Sequence, residues 1–252
     1  MRITILGKSP AWPDPGGACS GYLLEHEGFT LLLDCGAGVL GKLAGVQDYL
    51  TLGAVLISHL HADHILDLIP FSYALHLSPR RSSPPRRPPL HSPPGGLEMF
   101  SRLAGCWHDE ALITEAFAVS EYDPAAELQV GPFAIRFREV PHYTRAFACE
   151  LSCDGRRVTF GADCGPNEAL VDFAQDTDLL IVEASLREPE QDQPRGHMTP
   201  VEAGEAGRSA RARRLLVTHF SDELGPEWVA AEATRGYGRE VILASSGAEL
   251  TV

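Results

Sequence analysis

The sequence predicts an α+β fold, on three observations. Its apolar runs are strand-sized, as in ITILG at 3–7, TLLLDCG at 30–36 and DLLIVEAS at 178–185. Other stretches have helical spacing, such as Ile65, Leu68, Ile69 and Leu75. Turns rich in proline and glycine, such as PDPGG at 13–17, punctuate the chain. The composition is that of an ordinary globular protein, 44% hydrophobic and 22% charged, and 252 residues can bury a full core in one domain. No apolar run is long enough to span a bilayer. The net charge of −13 argues against a large nucleic-acid footprint, which needs a locally basic surface.

Taken in order, strands are expected at 3–7, 22–26 and 30–36, then a short helix over 38–46. AVLISH at 54–59 reads as a buried strand, and DHILDLIPFSYALHL at 63–77 as the helix after it. The segment SPRRSSPPRRPPLHSPPGG at 78–96 is read as a surface loop, because its prolines oppose helix and most strand pairing. Arg80, Arg81, Arg86 and Arg87 in it are solvated loop charges or, alternatively, a basic lip over a phosphate. A helix at GLEMFSRLAG follows, then strands near 133–139, 146–152 and 157–161. A helix near 166–175, a strand at 178–185, the strand RLLV before THFSD and a helix at 227–234 complete the reading.

The amino terminus, MRITILGKSP, looks like a first strand and not a signal peptide. Cysteines 19, 35, 106, 149, 153 and 164 form no CxxC pair and are expected to be reduced thiols in a cytoplasmic protein.

Chemistry is concentrated in SHLHADH at 58–64. Side chains two apart in an extended segment share a face, so His59 and His61 can reach one ion together. Asp63 and His64, where the chain turns into a helix, can face a second. Imidazole and carboxylate donors suit Zn²⁺ foremost, with Mn²⁺ or Fe²⁺ also compatible. The plain alternative is a polar helix start with solvated histidines. One motif cannot complete two coordination spheres, so further ligands are expected at other strand ends. His142 after IRFREVP, Asp163 at the end of RVTFGAD and His219 at the end of RLLVTH fit that requirement.

This pattern resembles the metallo-β-lactamase fold, and the likeness runs from LGKSP and LLLDCG to the closing strand EVILASS. The resemblance implies an αββα four-layer sandwich forming one domain over residues 1–252, with two divalent metal ions at one sheet edge. It implies that His59, His61 and His142 hold the first ion. Asp63, His64 and His219 would hold the second, with Asp163 bridging both, Asp63 also serving catalysis and Asp34 orienting a ligand histidine. Two departures are GADCG in place of a GDT turn and Ala148 where a glycine is common; neither removes a ligand. Two such ions activate water for hydrolysis.

Glu183 and His197, in LLIVEAS and RGHMTPVEAG, are similar to the acid–histidine pair of the ribonuclease Z branch, in which the histidine assists the leaving oxygen of a phosphodiester. Thr199, Pro200 and Glu202 read as a capping box with proline at the first helical position, placing His197 before a helix amino terminus that favours anions. Ribonuclease Z enzymes carry a long arm between the middle histidine and the bridging aspartate; here His142 and Asp163 leave no room for one. That absence and the acidic balance shift the expectation to a smaller phosphodiester. HMTPVEAG and LLVTHF resemble compact relatives that act on cyclic nucleotides, which makes such a substrate the expected one. Processing of transfer-RNA 3′ ends, with RNA as the partner, is the alternative, and a non-catalytic metal or nucleotide sensor is a third reading. By resemblance a homodimer is expected, and the strand-sized apolar runs give the expectation of no membrane association.

Overall fold

The computed structural model describes residues 1–252. The chain runs β1 (Arg2–Gly7), β2 (Gly21–His26), β3 (Phe29–Leu33), α1 (Val39–Val46), β4 (Ala54–Leu56), α2 (Ala62–Ile65) and α3 (Leu68–Leu77). It continues through β5 (Pro89–Ser92), α4 (Gly96–Gly105), α5 (Leu112–Ala116), β6 (Ala118–Glu121), β7 (Leu128–Val130), β8 (Phe133–Val140), β9 (Ala146–Cys153) and β10 (Arg156–Phe160). The last part comprises α6 (Glu168–Phe173), β11 (Leu179–Glu183), α7 (Pro200–Ser209), β12 (Leu215–Thr218), α8 (Pro226–Tyr237), β13 (Ile242–Leu243) and β14 (Glu249–Thr251).

These strands form two seven-stranded sheets, ordered β14-β1-β2-β3-β4-β5-β6 and β13-β12-β11-β10-β9-β8-β7. The period of two in each strand divides its side chains between two cores. Ile3, Ile5, Leu31, Leu33, Ala54 and Leu56 face the second sheet, whereas Leu6, Leu32 and Val55 turn to the helices behind the first. Val39, Leu43, Phe71, Leu75 and Phe100 of α1, α3 and α4 cover that outer face. Leu170, Phe173, Ala203, Val229 and Ala233 of α6, α7 and α8 pack on the second sheet. The result is the expected α+β sandwich in four layers, αββα. No helix is long and apolar enough to cross a membrane.

Strands β3 to β6 run parallel, as do β10 to β13. Their carboxyl ends therefore open on a common edge in each sheet. The two edges meet where His59 bridges Ala146 and the Phe147 amide donates to the Ser58 carbonyl at 3.3 Å.

The structure corrects the element reading in four places. The helix expected over 63–77 is two helices, α2 and α3, broken at Leu66 and Asp67. Pro70 lacks an N–H and its ring crowds the carbonyl four residues back, at Leu66. Second, the segment 78–96 is not all loop: β5 lies inside the first sheet between β4 and β6. Its Pro89 occupies the first strand position, where a missing donor is tolerated, and Leu90 is fully buried. Third, β3 ends at Leu33 and β4 at Leu56, short of the expected 36 and 59, because the chain leaves the ladder to aim the site residues. Fourth, EVILASS contributes only the two-residue β13, and the chain closes with β14 on the first sheet.

The arginines of 78–96 do not form a lip over the site. Arg80 pairs with Asp48 at 3.0 Å, Arg86 donates to the Leu50 carbonyl at 3.2 Å and Arg87 to the Thr114 carbonyl at 2.6 Å. Asp48 and Leu50 precede β4, so Arg80 and Arg86 lie at the opposite end of that strand from His59.

Candidate metal centre

Each site residue follows from the way a strand ends. After β3, Asp34 takes a left-handed φ of 61° and turns its carboxylate back under the β4 terminus. There it accepts the Ser58 amide and hydroxyl, both at 2.8 Å, and the His64 Nδ1–H at 2.7 Å. His59 and His61 leave β4 on extended backbone, and His61 is the residue before α2. Asp63 and His64 lie in that short helix. His142 stands in the β8–β9 connection, Asp163 just beyond β10 and His219 just beyond β12, the last with φ 53°.

The fold brings these seven side chains into two adjoining groups. His59, His61 and His142 have donor atoms within 4.8 Å of one another, and so do Asp63, His64, Asp163 and His219. Within the first, His61 Nδ1 and His142 Nε2 are 2.9 Å apart, and His142 Nδ1 donates to the Gly196 carbonyl at 2.8 Å. Within the second, His219 Nε2 lies 3.1 Å from both Asp63 Oδ2 and Asp163 Oδ2. A single oxygen, Asp163 Oδ2, also lies 3.2 Å from His64 Nε2 and 3.8 Å from His59 Nε2, so it faces both groups.

The residues present fit divalent cations. His59 is fully buried, yet its Nε2 has no hydrogen-bond partner in the protein. Burial lowers the His59 pKa well below the ordinary imidazole value, and burial likewise lowers those of His61 and His142. Neutral imidazoles are what a metal requires. At His64 burial also favours the neutral ring, but the charges of Asp163 and Asp34 prevail and raise its pKa, so an ion there would have to displace a proton. Burial opposes charge on Asp63 and Asp163 too. Hydrogen bonds from His219 and His64 outweigh it at Asp63, and the charges of those two histidines outweigh it at Asp163, so both carboxylates stay ionised. The donor set is thus nitrogen-rich on one side and carboxylate-rich on the other, as borderline divalent ions prefer.

Beside these groups, Glu183 ends β11 and accepts His197 Nδ1–H at 2.7 Å. Glu183 is buried, whereas the His197 side chain is 19% exposed. Burial lowers the His197 pKa, but the hydrogen bond and charge of Glu183 prevail and push it up to about 9. His197 also has a ring nitrogen within 4.8 Å of donor atoms of His142 and Asp163. The capping box of α7 is present: Thr199 Oγ1 accepts from the Glu202 amide, and the Glu202 carboxylate takes the Thr199 amide at 2.9 Å. Arg195 then grips Glu202 at 2.7 Å. That helix end carries its own anion, the Glu202 carboxylate, and the Arg195–Glu202 pair ties down the loop that presents His197.

Sequence reasoning missed two serines. Ser58 joins Asp34 to His59 Nδ1 (3.1 Å), and Ser185 joins Glu183 to His219 Nδ1 (2.9 Å). Their only sequence signal is adjacency to a site residue, which many loop serines share. The loop between His142 and Asp163 is as short as expected: β9 and β10 are joined by Asp154 and Gly155, both at positive φ, the form favoured in tight hairpins.

Comparison with known proteins agrees with this frame. The Beta-lactamase superfamily domain matches residues 30–220. The probable metallo-hydrolase YhfI of Bacillus subtilis is 30% identical over 98% of both chains. Its crystal structure, a metallo-beta-lactamase fold protein, superimposes with a TM-score of 0.88 at 28% identity over 99% of each chain. Ribonuclease Z of Haloferax volcanii is 25% identical across 100% of this chain and 95% of its own. That alignment extends over 305 positions, more than this chain has residues, so the relative carries insertions absent here.

Proposed function

The chain belongs to the beta-lactamase superfamily and is a metallo-hydrolase of that fold, and from this premise we propose that it is a dinuclear phosphodiesterase for a small phosphodiester such as a cyclic nucleotide. The observation that carries the reading is the Glu183–His197 pair beside the two ligand groups. His59, His61 and His142 would hold one ion, and Asp63, His64 and His219 the other, with Asp163 shared; Zn²⁺ suits this set best. Such ions, when bound, activate water and neutralise charge on the attacked phosphate.

The chain's own residues do the rest. Asp34 and the Gly196 carbonyl fix the rings of His64 and His142 by engaging their Nδ1 atoms, which leaves each Nε2 facing the site. Glu183 does the same for His197 and favours its charged form, so Nε2–H is available to the leaving oxygen as a general acid. The short β9–β10 hairpin supports a small substrate, because it offers no arm for gripping a folded RNA.

Purified protein assayed on cyclic AMP, a bis-aryl phosphate, a thioester and a precursor RNA with a 3′ trailer tests the proposal. Hydrolysis of the phosphodiesters is expected, with His197→Ala lowering kcat by roughly 10²–10⁴-fold while bound metal is retained. A fully active His197→Ala variant, or turnover of the thioester alone, would overturn it. The likeness to ribonuclease Z favours transfer-RNA 3′ processing as a second reading, and cleavage of the precursor RNA would select it.

A further inference from the structure

Two carboxylates sit behind the site, and each holds histidines in the same two ways. Asp34 binds His64 Nδ1 directly and reaches His59 Nδ1 through the Ser58 hydroxyl. Glu183 binds His197 Nδ1 directly and reaches His219 Nδ1 through the Ser185 hydroxyl.

A serine hydroxyl has one proton to donate. For Ser185 the acceptors are Glu183 Oε2 at 2.7 Å and the His219 carbonyl at 2.9 Å. At 2.7 Å the carboxylate oxygen, which only accepts, takes that proton, so Ser185 Oγ accepts from His219 Nδ1 and that nitrogen carries a hydrogen. His219 Nε2 is then the nitrogen that faces Asp63 and Asp163, and a cation bound there would take its lone pair in place of the hydrogen it shares with those carboxylates. Glu183 is fixed in turn by the Cys164 amide at 3.1 Å and the Ser185 amide at 3.1 Å, which leaves it little freedom to turn away.

We propose that Ser185 is a positioning residue through which Glu183 sets the tautomer of His219, so that one carboxylate serves both the His197 acid and cation binding at the Asp63–His64–Asp163–His219 group. The inference rests on that group holding a metal ion, and it makes Glu183 more than the partner of His197.

Titrating the metal-stripped full-length protein with Zn²⁺ against a chromophoric chelator tests this without any substrate. Ser185→Ala and Glu183→Gln should each weaken one of the two Zn²⁺ sites by roughly 10–100-fold. Ser185→Thr, which keeps the hydroxyl, and His197→Ala, which leaves the relay intact, should bind as the unaltered chain does. The Ser185→Ala/Glu183→Gln double variant should be no weaker than the weaker single one, since both break one relay. Unchanged affinity in Ser185→Ala sinks the relay alone. So does a Ser185→Thr loss equal to that of Ser185→Ala, or a His197→Ala loss equal to that of Glu183→Gln. Failure of the unaltered chain to bind Zn²⁺ sinks the metal reading itself, and an inert substrate panel touches neither result.

Discussion

At His59 the ring is fully buried and Nε2 is unpaired, a state that costs about 1–3 kcal/mol unless another group satisfies it. A cation on that nitrogen would satisfy it, and Asp34, acting through the Ser58 hydroxyl, keeps the ring oriented. Asp34→Asn can still occupy the left-handed φ of 61°, which asparagine tolerates, but it weakens the hydrogen bonds to His64 and Ser58. The expected result is a folded protein whose Zn²⁺ affinity falls by roughly 10–100-fold, read by competition with a chelator. Affinity equal to that of the unaltered chain would show that Asp34 does not support the ligands.

Among the elements, α2 is placed by a close approach that only glycine permits. A Cβ at Gly36 would lie 1.8 Å from the Asp63 carbonyl and 2.9 Å from the Cys19 side chain. Gly36→Ala must therefore push α2 from its seat, and overpacking of this kind destabilises by about 1–3 kcal/mol. Because α2 carries Asp63 and His64, Zn²⁺ binding should fall together with the melting temperature. Gly41, exposed in α1, has nothing within 4 Å of its would-be Cβ, and Gly41→Ala should raise stability by up to about 1 kcal/mol. Paired thermal melts of the two variants check both signs; equal shifts would mean that the close approach at Gly36 is unimportant.

For the whole molecule, the edge where the sheets meet is tied by charge as well as by apolar packing. Lys8, at the end of β1, donates to Asp14 at 2.6 Å, to Asp222 at 2.8 Å and to the Phe220 carbonyl at 2.9 Å. Asp14 accepts in addition from Ser9, Ser221 and the Asp222 amide. These bonds join the first sheet to the loop that presents His219. Burial raises the Asp14 pKa, but the Lys8 and backbone hydrogen bonds prevail and hold it below the ordinary carboxylate value. Its folded pKa lies below its unfolded one, so its contribution is complete at neutral pH and is lost as pH falls through the ordinary carboxylate value toward the folded one. Asp14→Asn should lower stability at pH 7 and flatten the fall in melting temperature below about pH 4. An unchanged acid limb would show that the tie does not titrate as the geometry requires.

Most strands and helices, the HxHxDH stretch and the histidine or aspartate after each of three later strands were legible in the sequence, whereas α5, β6 and β7 were not. Periodicity and residue type are local properties, and they place such residues at strand ends without coordinates. The αββα arrangement and the roles of the seven residues came from resemblance to a family, since no local pattern states which strand ends share an edge. Only the folded chain decided that His142, Asp163 and His219 face His59 to His64, that β5 lies inside a sheet despite its prolines, and that Ser58 and Ser185 link carboxylates to rings. Those facts depend on contacts between residues up to more than a hundred positions apart, such as His219 with Asp63, and on single hydroxyl orientations. A sequence records which groups are available; the packing of two sheets against each other fixes which of them meet.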